Sequence, residues 1–373
     1  MGKKISLIFG GVIVVILASS WGWVGHYNIS YRASLSFNSE MTAFNTWVQT
    51  LADSASVPDT RKSADPTEAP KHYIDIDDYA EFNQNGFISQ DLATVISMHG
   101  NSNVYDWGIL PWATIATFDS LRNCFQRHDF NKALFFACDL GHYVGDGHMP
   151  MHITKNYDGY DTGNNGIHSR YESTMIGANI SQITYTGESI SAISDVPGYI
   201  FSYIYENHRY VDSVLIADNA AKAINSSYTS AAYKAELWNR TKNFTVLLFK
   251  NASHALAELI YTAWVQAGKP DITSTVAINT PRIQDGVLLS KNSPNPFSDQ
   301  TTISYSLPHH FDTVMITVTD ISGNTVATLC NQAKEAGDYQ VVLNSADLNQ
   351  GIYMVVLKAD DVKIIRKMIL LKK

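Results

Sequence analysis

The chain has 373 residues, of which 45% are hydrophobic and 17% charged. That is long enough for two or three domains, and the composition excludes a wholly disordered chain. Net charge is −8, and between Trp21 and Pro270 16 Lys+Arg face 25 Asp+Glu, which argues against a broad basic footprint for duplex nucleic acid. A phosphate substrate stays open, because bound cations can set the local field whatever the net charge.

Lys3 and Lys4 precede an apolar run, Ile5 to Ala18, followed by Ser19 and Ser20. This reads as a signal peptide over residues 1–20, cleaved before Trp21. The run is shorter than the ~20 residues of a spanning helix, so no stable membrane anchor is expected. From Trp21 to Gly268 the apolar period is helical: Phe44, Trp47, Val48 and Leu51 recur at helix spacing, as do Leu134, Cys138 and Trp238, Phe244, Leu248, Leu256 and Ile260. An all-α catalytic domain is expected over 21–268. Lys269 to Gly286 has the Pro and Thr content of a linker. Beyond it the period changes to two, in Thr302–Leu307, Val314–Val318, Tyr339–Leu343 and Gly351–Leu357, which predicts a small antiparallel β-sandwich over 287–373. The three cysteines, Cys124, Cys138 and Cys330, leave disulfides a minor role: Cys124 and Cys138 either pair or serve as small buried hydrophobes.

The densest chemistry runs from Asp139 to His152. His142 and Asp146 are four apart and share one face of a helix, Pro150 is expected to end that helix, and His152 then follows on the loop. His168 and Glu172 repeat the four-residue spacing. One such pair is ordinarily a helix ion pair; two, with a histidine between them, suit zinc, which takes imidazole nitrogen and carboxylate oxygen. Asp59 and His72 offer further ligands, and Asp75 is placed to accept from and orient His72. Trp21-Gly22-Trp23-Val24-Gly25-His26 adds another histidine directly after the cleavage site.

Together these motifs resemble the superfamily of zinc-dependent phospholipases C and single-strand-specific nucleases, over Trp21 to about Glu172. The resemblance implies three Zn²⁺ ions. Trp21 would bind one through its free amino group and carbonyl oxygen, with His26. Asp59, His72, His142 and Asp146 would hold a second, Asp146 bridging to the first. His152, His168 and Glu172 would hold the third. Asp59 is also the expected catalytic residue, orienting a water or acting as general base. Glu172 is closer to the phospholipase form than to the Asp-Asn of the nucleases. The Arg that nucleases carry a turn after their first Asp has only Arg61 and Lys62 near its place. Separately, Ser293-Pro294-Asn295-Pro296-Phe297, the Gly351-Ile352-Tyr353 strand and the basic end Lys367…Lys372-Lys373 resemble the C-terminal sorting domain of type IX secretion cargo, which implies export to the medium or cell surface by that machinery.

Three ions would bring +6 against −3 from Asp59, Asp146 and Glu172, a positive site suited to a phosphodiester and able to lower the pKa of water. Phospholipid is the first expected substrate, single-stranded nucleic acid or nucleotide the alternative, with Tyr157, Tyr160, Tyr171, Trp107 and Trp112 as candidate pocket rings or core residues. A third reading is a non-catalytic, zinc-stabilised surface protein. The expected form is a monomer. His99, His128, His148, His208 and His254 are left outside the site.

Overall fold

The computed structural model describes residues 22–62, 65–272, 282–284, 287–320, 324–360 and 362–372. The expected signal peptide and Trp21 lie outside the described residues. Among the described residues thirteen α-helices precede eight strands: α1 (Gly22–Ala33), α2 (Val48–Asp53), α3 (Val57–Arg61), α4 (Ala80–Asn85), α5 (Leu92–His99), α6 (Asn101–Asp106), α7 (Leu110–Gln126), α8 (Phe130–Asp146), α9 (Ile167–Ser169), α10 (Ile176–Asn179), α11 (Val196–His208), α12 (Val211–Ile224) and α13 (Ala231–Gln266). No described helix is long and apolar enough to cross a membrane.

The long helices follow their sequence signals. α7 has Pro111 in its first turn, where the missing N–H costs nothing. α8 is capped by Asp129, which accepts from Lys132 N at 3.2 Å, and α13 by Ser230, which accepts from Tyr233 N at 3.1 Å. With 36 residues, α13 is about 54 Å long and spans both apolar cores of the helical domain: Leu256, Leu259 and Ile260 pack with Leu134, Leu140 and Phe125, and Leu248 and Phe249 with Tyr171, Met175 and Val214. From Ala137 to Thr154 every residue of α8 and the turn beyond it is buried, so this helix is enclosed on all sides. Cys124, Cys138 and Cys330 are free and buried; the first two act as core residues, and the disulfide alternative is not realised.

The sandwich has two four-stranded antiparallel sheets. One runs β1 (Arg282–Gln284), β2 (Val287–Leu289), β3 (Gln300–Leu307), β6 (Gly337–Asn344); the other runs β5 (Thr325–Lys334), β4 (Phe311–Thr319), β7 (Gly351–Ala359), β8 (Val362–Leu370). β1 pairs with β2, so the sheet starts inside the stretch read as linker; three residues are too few to show a period of two. Alternation sets the packing: Val355 and Leu357 of β7 and Ile364, Met368 and Leu370 of β8 turn inward onto Ile303, Tyr305, Ile316 and Val318. Phe297 joins this core, and its backbone bonds Ile369 O and Leu371 N at 3.0 and 2.9 Å, so the Ser293–Phe297 motif is tied to the C-terminal strand.

One close approach in the helical domain bears on the site. Residues 70–75 are stitched to the entry of α7 through Ile109 N to Pro70 O (2.7 Å), Leu110 N to Tyr73 O (3.1 Å) and Asp75 N to Trp107 O (2.7 Å). Gly108 has φ +84°, and a Cβ there would lie 2.1 Å from Tyr73 O. Gly86, with φ +80°, has open space around it. Gly108→Ala should therefore destabilise the fold by ~3 kcal/mol or more, against about 1–2 kcal/mol for Gly86→Ala, which meets only the left-handed penalty. Urea unfolding of both variants checks the difference.

Candidate metal centre

α8 carries the middle of the site. His142 and Asp146 face the same way, with His142 Nε2 3.2 Å from Asp146 Oδ2. His142 Nδ1 lies 2.7 Å from Ala55 O; as the donor of that bond it turns the lone pair to Nε2, on the side of His72 and Asp146. α1 can bring His26 alongside because α8 has glycine at the crossing: a Cβ on Gly145 would come 2.8 Å from His26 Nδ1, and one on Gly141 2.7 Å from Ser30 Oγ. The His26 and His142 rings stack at 4.0 Å, and His26 Nε2 reaches Asp146 Oδ1 at 3.3 Å. The helix ends at Asp146, four residues before the expected stop. Gly147 N bonds back to Tyr143 O, and Pro150 instead opens a 3₁₀ turn, Pro150–His152.

Two loops complete the centre. His152 Nδ1 lies 2.6 Å from His72 O, and Ile74 N bonds His152 O at 2.8 Å, so the two histidine segments hold each other. His72 Nδ1 stands 2.8 Å from His142 Nε2, 3.1 Å from Asp146 Oδ2 and 3.5 Å from Asp59 Oδ1. His168 lies in the short α9, and Glu172 sits not on an α-helix but in a π-helical stretch, Arg170–Met175, a local form common at functional sites. His168 Nε2 and His152 Nε2 face Glu172 Oε2 at 3.1 and 3.5 Å. Arg170 anchors the stretch through Asp218 Oδ1 at 3.0 Å and Tyr233 OH at 2.9 Å.

Three triads of ligand-capable atoms result, the atoms of each within 4.8 Å of one another: His26, His142, Asp146; Asp59, His72, His142; and His152, His168, Glu172. The residues fit metal on two counts. Both carboxylate oxygens of Asp146 and of Glu172, and Nε2 of His152 and of His168, are buried without a hydrogen-bond partner, which is costly unless a cation satisfies them. Charge points the same way. Asp146 is held well below the usual carboxylate range; burial opposes this, but His142 and His152 outweigh it. Asp59 sits at about 2, burial again opposing and Lys62, His142 and His72 prevailing. Burial, then His142 for one and Lys62 for the other, lowers His26 and His72. Three buried carboxylates thus have Lys62 as the permanent cation beside them, with its Nζ 2.7 Å from Asp59 Oδ1.

A cavity of about 320 Å³ opens over this cluster. It is lined by His72, His152, His168 and Lys62 together with Tyr73, Asp75, Asp106, Met151 and Tyr157. Asp75 is therefore a pocket residue. The carboxylate behind His72 is Glu68, 3.5 Å from Nε2, which corrects the expected role of Asp75. Arg61 turns away to Asp139 and Glu68, so Lys62 is the basic residue at the site. Of the aromatic candidates Tyr157 alone lines the cavity. Tyr171 is buried against Thr245, Trp107 packs on Tyr79, Trp112 donates to Gln90 O, and Tyr160 is exposed. His148 stacks on Tyr203, His99 meets Glu81 and His254 meets Glu258. Sequence reasoning missed Glu68, Lys62 and the two glycines; the four-residue spacing of Glu68 to His72 was the available signal.

Residues 293–371 match the secretion system C-terminal sorting domain. The chain is thus exported by the type IX machinery, to be secreted or held at the cell surface. No curated protein matches the chain. Among solved structures, alpha-toxin of a Clostridium perfringens avian strain is 12% identical over 94% of this chain and 92% of that chain, with a TM-score of 0.44. Alpha toxin from Clostridium absonum is 12% identical over 95% of each chain, with a TM-score of 0.40.

Burial, then Asp77 and Asp78, raises Asp75 to about 7. A raised carboxyl favours the folded state while protonated, so its contribution is complete below pH ~4 and is lost as pH rises to about 7. Asp75→Asn should leave stability unchanged at pH 4 and increase it at pH 8, read from urea midpoints. Equal effects at both pH values would contradict the assignment.

Proposed function

We propose that the chain is an exported zinc-dependent phosphoesterase that hydrolyses phosphodiesters, with phospholipids as the preferred substrates. One observation carries this reading: three triads of His and carboxylate meet in a single buried cluster, with Lys62, beneath an open cavity. A purely structural zinc site closes four protein ligands around each ion; the His152, His168 and Glu172 triad offers three side chains, and the cavity reaches His152 and His168.

The ions would supply Lewis acidity and an acidified water. The chain's own residues do the rest. Lys62 offers an ammonium donor to a non-bridging phosphate oxygen at the cavity wall. Asp59, held by Lys62, accepts from the attacking water and orients it. Burial of His72, His142 and His152 keeps bulk water from competing for their nitrogens. Trp21, freed by signal cleavage, is proposed to add its amino group and carbonyl oxygen beside His26, as the motif resemblance implies. In the cavity the rings of Tyr73 and Tyr157 and the carboxyls of Asp75 and Asp106 favour a cationic head group such as choline, through ring faces and opposite charge.

The same rings and carboxyls favour a second reading, a single-strand nuclease or nucleotidase: an unpaired base stacks on tyrosine and donates N–H to carboxylate. Mature protein starting at Trp21 and loaded with zinc should release phosphocholine from phosphatidylcholine, lose this on chelation and regain it with zinc. Lys62→Met should cut kcat/KM by roughly 10²-fold with zinc content unchanged. Acid-soluble nucleotides from single-stranded DNA without phosphocholine would move the assignment to the second reading. Bound zinc with neither product would leave a zinc-stabilised surface protein.

A further inference from the structure

We infer that Glu68 is a positioning residue for the metal centre: it fixes which nitrogen of His72 faces the ions, and so sets the affinity of the Asp59–His72–His142 triad. This rests on the metal reading above and goes beyond it, since Glu68 belongs to none of the triads.

His72 presents Nδ1 to the cluster, 2.8 Å from His142 Nε2 and 3.1 Å from Asp146 Oδ2. Its other nitrogen, Nε2, points at Glu68 Oε1 at 3.5 Å and has no other partner. Asp146 Oδ2 also stands beside Nδ1, but a cation there takes the Asp146 carboxylate and needs a lone pair on Nδ1; Glu68 is then the acceptor that holds the ring proton on Nε2. The facing nitrogen, His142 Nε2, lies 2.8 Å from His72 Nδ1, so both rings can turn toward one cation.

Glu68 is built to stay charged and still. It is 2% exposed, accepts from Tyr143 OH at 2.5 Å and Arg61 Nη2 at 3.1 Å on Oε1, and from Lys71 Nζ at 2.9 Å on Oε2. Arg61 is itself fixed by a two-pronged contact to Asp139, at 3.1 and 2.8 Å. A buried carboxylate with two cations and a phenol would serve stability alone if His72 turned elsewhere. Its placement directly behind a ring whose opposite nitrogen enters the cluster is the carboxylate–histidine–metal arrangement that orients a ligand and raises its basicity.

The test is zinc alone, titrated against a chromogenic chelator into the mature full chain, for wild type, Glu68→Gln, His72→Ala and the double variant. Glu68→Gln keeps shape and removes charge. It should weaken one class of zinc site by 10–100-fold and leave the others unchanged. In the His72→Ala background the same substitution should have no further effect, because the ring it acts through is gone. Asp139→Asn, which loosens the Arg61 brace on Glu68 but leaves its charge, should weaken the same class of site by less than Glu68→Gln. Wild-type affinities in Glu68→Gln, or an equal loss in both backgrounds, would overturn the inference and make Glu68 a structural anchor. A wild-type chain that takes up no zinc would overturn the metal reading itself.

Discussion

Asp146 ends α8 with its carboxylate fully shielded from water. Both features work against a negative charge. Burial removes hydration, and the end of a helix points unpaired carbonyls, the negative pole of its dipole, toward the side chain. Four imidazoles surround it at 3.1–3.7 Å and, against burial, it draws His142 and His152 toward their protonated forms, yet neither oxygen has a hydrogen-bond partner. Asp59 and Glu172 add two more buried carboxylates to the cluster. The arrangement makes physical sense when cations enter it, and the surrounding elements can be understood as the means of holding these groups together until they do.

Each neighbouring element contributes a constraint of its own. Gly141 and Gly145 remove side chains where α1 crosses α8, which is what lets His26 stack on His142. Residues 70–75 are bound by backbone to both α7 and the His152 turn, so His72 and His152 move as one. The π-helical turn from Arg170 to Met175 sets Glu172 toward His168 and His152, and Arg170 with Asp218 keeps that turn in place. The sandwich builds its core from its own strands, and its strand β6 packs against the π-helical turn that carries Glu172.

Much of this was legible in the sequence, for identifiable reasons. The four-residue spacings His142–Asp146 and His168–Glu172 and the change of period near residue 300 are local signals, and local signals survive without tertiary knowledge. The contribution of Lys62 was not legible, because it depends on how the 55–75 segment wraps back onto α8; for Glu68 the four-residue spacing to His72 was the one signal. Asp75 was assigned the orienting role because it lies three residues from His72; the backbone bond of Asp75 to Trp107 turns it into the cavity instead. Pro150 was read as the helix stop, whereas the turn at Gly147 ends α8 first. β1 was too short to show alternation. Trp21 rests on its sequence motif, outside the described residues.

Diffraction from crystals of the mature protein, measured on either side of the zinc absorption edge, addresses the buried triads directly. Anomalous peaks are expected at three places: beside His26, His142 and Asp146; beside Asp59, His72 and His142; and beside His152, His168 and Glu172. Zinc-loaded crystals with the same fold and no peak at any of these triads would contradict a metal role for the cluster and leave its buried carboxylates without their cations.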